Sequence, residues 1–545
     1  MQDRNMKRAK PTLLALCLGV AVAIATNAAG QSEALAIIPS ANARIRNITI
    51  LANPIFNTQK PGERKRMFRL ANALHIETQT ATIRAQLLFA EGEPYSERAL
   101  RETERNLRRL RFLREPIIRI VAIDGDQVDI EVQTTDVWSF APTLTVGRSG
   151  GSNRSAFGIE DVNFLGLGKV VNVEYVKNSE RTRKLLAYKD PNVGFSRYTL
   201  DVGFSNNSDG HDAQLNFGIP FYSLQTLASQ SIALSDSDSL IRRYNLGDEL
   251  GGYQANLQQA TLMFGRSKGL IAGWTKRTSL GFQLEKAGFD IDPESPNIGA
   301  LPANRDYKYP FVQWEVLQDD FKTTTNQDQI GRTEDEAFGQ RYLMRVGYAA
   351  SFLGNQSSVS FIKLEASDGF RLTDAQSIFL QSAFQSQFGG SAGRNQLLEA
   401  ELRYFWRHDS QNTSYVSLSG HASQQLNLDK ELYLGGDNGL RAYPMRFQSG
   451  KHAALLTIEQ RRFTAYQPLK LFSVGAAVFA DVGRVWGTNA AGSQQLGTLR
   501  DVGLGLRLGN LRSARANMLH LDISWPLDDP RGSSPQFSVE TRTRF

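Results

Sequence analysis

The feature that most constrains this chain is a period-two alternation that runs through residues 138–545, broken by clusters of Gly, Asn, Asp and Ser. Successive side chains of a strand point to opposite faces, so this pattern gives a sheet one apolar and one polar side. It is clearest in the last fifty residues or so. In 518–527, Leu519, Leu521, Ile523, Trp525 and Leu527 share one face, while His520, Asp522 and Ser524 take the other. In 501–509, Val502, Leu504, Leu506 and Leu508 oppose Asp501, Gly503, Gly505, Arg507 and Gly509. A soluble sandwich has no need for charge and glycine opposite stripes of this kind, whereas a wet lumen wall does. The pattern predicts an all-β transmembrane barrel over 137–545. At about 9–11 residues per spanning strand plus turns, roughly 14 to 18 antiparallel strands fit, and about 16 is the expectation. Phe537, Val539, Thr541, Thr543 and Phe545 fall on one face of the final segment, which predicts a closing strand with its terminal aromatic at the membrane interface. The polar stretches 235–252, 289–306 and 323–339 are expected as surface loops.

Composition agrees once the barrel is considered. A hydrophobic fraction of 41% and a mean hydropathy of −0.34 read as soluble, but a barrel hides its apolar band in alternate positions. Lys and Arg number 62 against 55 Asp and Glu, a spread-out excess that does not indicate a nucleic-acid partner. The single Cys excludes a disulfide framework and a multi-thiolate metal site. Residues 1–36 read as a signal peptide: Arg4, Lys7, Arg8 and Lys10 precede a short apolar run over 12–25, and small residues follow, with cleavage after Ala28 or Ala36. No later run reaches the length of a membrane-spanning helix.

Between them, residues 44–136 mix helix and strand signals. Ile45, Ile48, Ile50 and Ile55 fit a first strand, and residues 62–75 and 78–89 give a basic helical insertion and a short helix. Ser96 then caps an amphipathic helix carrying Leu100, Thr103, Leu107 and Leu110 on one face. Arg98, Arg101, Arg105, Arg108 and Arg109 lie on the other and read as a solvated face. Two strands joined by Asp124-Gly125-Asp126 follow. The order is strand, helix, helix, strand, strand.

Four motifs carry a family resemblance. The element Asn163-Phe164-Leu165-Gly166-Leu167-Gly168 resembles the one that opens the barrel of the BamA/TamA outer-membrane assembly-factor superfamily. Asp190-Pro191 fits the Asp-Pro that follows in those proteins. The stretch Gly435-Gly436-Asp437-Asn438-Gly439-Leu440-Arg441-Ala442-Tyr443 resembles its lumen loop, with Ala442 where the family has Gly. Phe479-Ala480-Asp481-Val482-Gly483-Arg484-Val485-Trp486 is similar to its partner strand. Residues 44–136 resemble a single POTRA domain, where the better-known members have more. The resemblance implies that Arg441 reaches Asp481 and pins the loop inside the barrel. It also implies an outer-membrane location with the POTRA-like domain in the periplasm. The implied partners are the outer-membrane bilayer, periplasmic accessory proteins, and an unfolded client polypeptide met at the POTRA edge and the barrel seam.

The bare residues are compatible with the Arg–Asp contact. An arginine folded into a lumen needs a carboxylate, and strand parity puts Phe479, Asp481 and Gly483 inward if Val478, Ala480 and Val482 face lipid. Two Gly-x-Ser-x-Gly matches, at 147–151 and 265–269, lack the strand-to-helix turn of a nucleophile elbow. The tripeptide His408-Asp409-Ser410 is no triad, and none of the six histidines has metal-ligand spacing. Neither an enzyme activity nor a cofactor is expected. The expected function is insertion or translocation of polypeptides at the outer membrane, with a channel or porin under a periplasmic cap as the alternative.

Overall fold

The computed structural model describes residues 39–60, 62–295, 299–389, 395–468, 471–488, 494–510, 512–514 and 518–542. The expected signal peptide and the terminal Phe545 lie outside the described residues. An N-terminal module comprises β1 (Arg44–Asn53), α1 (Arg66–Leu74), α2 (Thr80–Arg84), α3 (Glu97–Arg109), β2 (Leu113–Asp124) and β3 (Gln127–Asp136). Its sheet has the order β1-β3-β2, with β1 parallel and β2 antiparallel to the central β3. Ser96 caps α3 by accepting the Ala99 N–H at 3.3 Å, and Leu100 and Leu107 pack down onto Val128, Ile130 and Val132. This core does not stop at the module. Val162, near the end of the barrel strand Ser152–Phe164, and Ala514, from the connection before Met518–Pro526, are buried in it.

Beyond the module, twenty strands among the described residues close into one antiparallel barrel, which corrects the expectation of about 16. The shortfall has a physical cause. Polar residues in 235–252 belong not to a loop but to two long strands, Ala228–Asn245 and Asp248–Ile271, joined by Leu246-Gly247 alone. These strands of 18 and 24 residues run on past the apolar belt, where both faces are polar: Asp236 and Asp238 share the outer face of Ile232 and Leu234, so polar strand and loop read alike. Several spans are also short, down to seven residues in Gln536–Arg542. The stretch 323–339 is no surface loop either: Phe321–Thr325 and Thr333–Ala337 form a hairpin at the module end of the barrel.

Strand parity sorts the side chains as alternation requires. Leu144, Phe157, Leu186, Phe264, Leu280, Val478, Leu504 and Phe537 stand exposed on the outside, while Asp481, Asp501, Arg507 and Asp522 are buried inside. An apolar belt running around a whole barrel far exceeds what a water-soluble surface tolerates, and lipid is the solvent it suits.

A charge placed in this belt should therefore be costly. Leu504→Arg is expected to destabilise the barrel by about 2–4 kcal/mol, read as a lower urea midpoint for the folded-to-unfolded band shift on gels. A substitution on an exposed turn, such as Asp374→Asn, should leave the midpoint in place.

Candidate functional site

The barrel's closure is its weakest ladder. Its first strand, Phe140–Ser149, meets its last, Gln536–Arg542, through a single register pair among the described residues, Val539 with Arg148. The neighbouring ladders have ten pairs on one side and seven on the other. Phe537 is exposed on the outer face of this seam, and Val539 lies at the pair itself.

A loop from the far end folds back into the lumen beside this seam. The short strands Leu432–Leu434 and Gln448–Gly450 pair and frame it. Its tip carries the expected Gly435, Gly436, Leu440, Arg441 and Tyr443. Leu440, Arg441 and Tyr443 are all buried. Gly436 lies against the first hairpin so closely that a Cβ there would come within 2.5 Å of the Gly150 Cα. Met445 donates its N–H to the Gly150 carbonyl at 3.0 Å, and Ser149 donates its hydroxyl to the Gly436 carbonyl at 3.0 Å. The first Gly-x-Ser-x-Gly match is thus the place where the loop touches the seam strand.

Arg441 is the anchor. Its Nε and Nη2 donate to Asp481 at 2.8 and 3.0 Å, its Nη1 donates to Glu459 at 2.9 Å, and its guanidinium lies 3.4 Å from the centroid of the Phe479 ring. Thr457 donates to Asp481 at 2.7 Å, and the Ala442 N–H donates to Asp501 at 3.2 Å. Ala442 has no left-handed backbone here, so the missing glycine is no obstacle. Tyr443 donates to the Arg500 carbonyl at 2.9 Å, and Leu440 packs over Gly483. Trp486 does not share the lumen. Parity turns it to the outer face, where it stacks on His452 at 5.5 Å.

The sequence reading missed the network behind the anchor. Glu459 also accepts from Arg461 Nε at 2.9 Å and lies 3.6 Å from Arg507, which pairs with Asp522. Arg461 reaches onward, donating Nη1 to the Gln327 carbonyl at 2.8 Å at the tip of the module-end hairpin. There Asp328 accepts from Arg403 at 3.0 Å, and Ile330 packs against Phe463 and Met518. The hairpin's base is held by α3: Arg108 forks onto Asp335 at 2.8 Å on both oxygens, and Asp319 accepts from Arg105 at 3.4 Å. These arginines therefore face a partner rather than solvent, while Arg101 pairs with Glu97 at the surface. Glu102 accepts the Leu224 N–H at 2.7 Å, and burial raises its carboxyl above the usual range against the pull of that bond.

The expected barrel-opening motif serves as the joint to the module. Asn163 accepts the Gly168 N–H at 2.7 Å and donates to Thr78 at 2.9 Å, and Thr78 donates to Asp136 at 2.7 Å. Gly166 takes φ +73, and a Cβ there would come within 2.3 Å of the Glu77 carbonyl oxygen; Gly168 packs against Thr82 and Phe112. Asp190 pairs with Lys169 at 3.3 Å, and its turn presents Arg197 to the carbonyls of Ala85 and Leu87 at 2.7 and 2.6 Å. His408 contacts Ser414 within a hairpin, and no catalytic triad forms there.

No family model matches the chain, and no curated protein matches it significantly. Among solved structures, the chain is similar to BamA from Haemophilus ducreyi lacking POTRA domains 1-3. The identity is 13% over 91% of this chain and 83% of that one, with a TM-score of 0.36. It is similar to CdiB from Acinetobacter baumannii at 14% identity, over 91% of this chain and 73% of that one, with a TM-score of 0.45. For CdiB from Escherichia coli the figures are 13%, 92%, 76% and 0.48.

Three outcomes follow from the network. Arg441→Ala strands buried carboxylates and should cost about 3–5 kcal/mol of barrel stability, measured by urea titration. The Arg441→Ala/Asp481→Ala pair should lose less than the sum of the two single changes. Asp319→Asn with Asp335→Asn should free the hairpin from α3 and produce larger, noisier conductance steps in planar bilayers than the unaltered chain gives.

Proposed function

We propose that this chain is an outer-membrane barrel of the assembly-factor type, whose POTRA-like periplasmic module hands an unfolded polypeptide to the seam between first and last strands. The observation that carries this reading is the seam itself, a barrel closed among the described residues by one register pair while its neighbours zip along their length. Unpaired N–H and C=O groups on the two seam strands are a template for an incoming strand, and backbone rather than side chains would bind it. The motif resemblance in loop, partner strand and opening turn supports the same reading.

The module offers the first contact. Its outer strands β1 and β2 are sheet edges, and on each a glutamate occupies one N–H: Glu91 on Ile48 at 3.2 Å and Glu104 on Ile118 at 2.7 Å. Ile117 and Val121 are half-exposed on β2 and give an arriving strand apolar footing. The channel alternative is disfavoured by the lumen, which both the Arg441 loop and the module-end hairpin enter.

Locking the seam tests the proposal. A disulfide between Arg148→Cys and Val539→Cys should lower the levels of other outer-membrane proteins or of one secreted client in cells, with recovery on reduction. Unchanged outer-membrane and surface proteomes in the oxidised state would sink the proposal. Photocrosslinking from Ile117 should trap unfolded clients in the same cells.

A further inference from the structure

Where the hairpin meets the module, a cavity of about 600 Å³ opens between α3 and β2, the hairpin, and the inner wall around Phe379 and Gln381. Arg109, Arg114 and Arg332 reach it from two of these three sides. Their chemistry is unfinished. The Nε and Nη2 of Arg332 and the Nε of Arg114 are shut off from solvent and have no hydrogen-bond acceptor among the described residues. The carboxylates around them are mostly spent. Asp335 holds Arg108, Asp328 holds Arg403, and Asp368 accepts from Gln340 at 3.0 Å. Glu334 accepts three backbone N–H groups, from Gln327, Asp328 and Gln329, at 3.0, 2.9 and 3.2 Å. Burial pushes the Glu334 carboxyl up to about 7, so near neutral pH it brings less than a full negative charge. Burial, then Arg114, pushes the Arg332 guanidinium below its ordinary value, with Glu115 opposing.

A guanidinium withdrawn from water without an acceptor is a costly arrangement, and a second cation beside it adds repulsion. The natural remedy is an anion that several guanidinium forks can grip at once. We infer that this cavity is a binding site for a soluble phosphate-class oxyanion, held by Arg332 from the hairpin and by Arg114 and Arg109 from the module. The ligand arrives through water. Phe379 is buried on the inner face of its strand, whereas its neighbour Leu380 is exposed on the outer face that bilayer lipids reach. The volume exceeds that of a lone ion, which leaves room for a diphosphate or for the organic part of a phosphate ester. Bound there, the anion would add a second tie between hairpin and module beside the Arg108–Asp335 fork, at the point where Arg332 faces Arg114. This inference stands on the cavity alone and does not need the seam to receive a client.

The test is titration calorimetry on the full chain in lipid nanodiscs, with inorganic diphosphate and glycerol phosphate as separate probes and glycerol as the neutral control. Saturable binding of at least one phosphate probe is expected, weakened about tenfold or more by Arg332→Gln and, independently, by Arg114→Gln. Lys363→Gln, on a barrel strand away from the cavity, should leave the affinity unchanged. A diphosphate response alone would assign the site to free phosphates, and a stronger glycerol phosphate response would assign it to esters. No binding of either probe, or an affinity in both arginine variants equal to that of the unaltered chain, would overturn the inference. If Arg332→Gln fails to fold, Arg114→Gln and the charge-keeping Arg332→Lys carry the comparison.

Discussion

A guanidinium inside a membrane barrel has no water shell to fall back on, so the placement of Arg441 dictates much of what surrounds it. Its three donating nitrogens need carboxylates from two different strands, Asp481 on Phe472–Trp486 and Glu459 on His452–Phe463. Those carboxylates must in turn be balanced, which Arg461 and Arg507 do, with Asp522 behind them. Removing any one member leaves a buried charge uncompensated, which is why such a network holds one arrangement rather than several. Holding that arrangement fixes the loop tip, and the loop tip lies against the first hairpin next to the seam.

The same charges continue toward the module. Arg461 touches the hairpin at Gln327, the hairpin returns through Asp335 to Arg108 of α3, and α3 is sealed to a barrel turn by Glu102 and Leu224. The module is therefore joined to the barrel at both the Asn163–Gly168 turn and the hairpin, with its own hydrophobic core extended by Val162 and Ala514. Displacement of the module has a physical route to the inner loop through ion pairs and hydrogen bonds, from Arg108–Asp335 through Gln327–Arg461 to Glu459 and Arg441.

Much of this was legible in the residues. Alternation along a strand is a local property, so the inward turn of Asp481 and the outward turn of Val478 follow from parity. The strand-helix-helix-strand-strand order of the module follows from the cap at Ser96 and the Asp-Gly hairpin. Glu459 and Arg461 were open to the same parity argument, since Thr457, Glu459 and Arg461 alternate with the outward Leu456 and Ile458. The signal is a run of opposite charges on one strand face. What resisted reading was anything set by distant partners. The hairpin at 321–337 has the composition of a water-exposed loop because its neighbours are themselves charged, and only the folded arrangement brings Arg403, Arg461 and Arg108 to it. The strand number failed for a related reason: a strand that extends beyond the apolar belt is as polar on both faces as a loop, and Leu246-Gly247 is a complete turn. Trp486 belongs to the same motif as the lumen-facing Asp481, but its even spacing from Val478 places it outside.

The account makes the first and last strands the loosest part of an otherwise continuous sheet, held near each other by a loop that one arginine anchors. Hydrogen exchange of the full chain in nanodiscs measures this directly. Backbone amides of Phe140–Ser149 and Gln536–Arg542 should exchange well ahead of those in Phe472–Trp486 and Thr498–Asn510. Protection in the seam strands equal to that in those two strands would contradict the account.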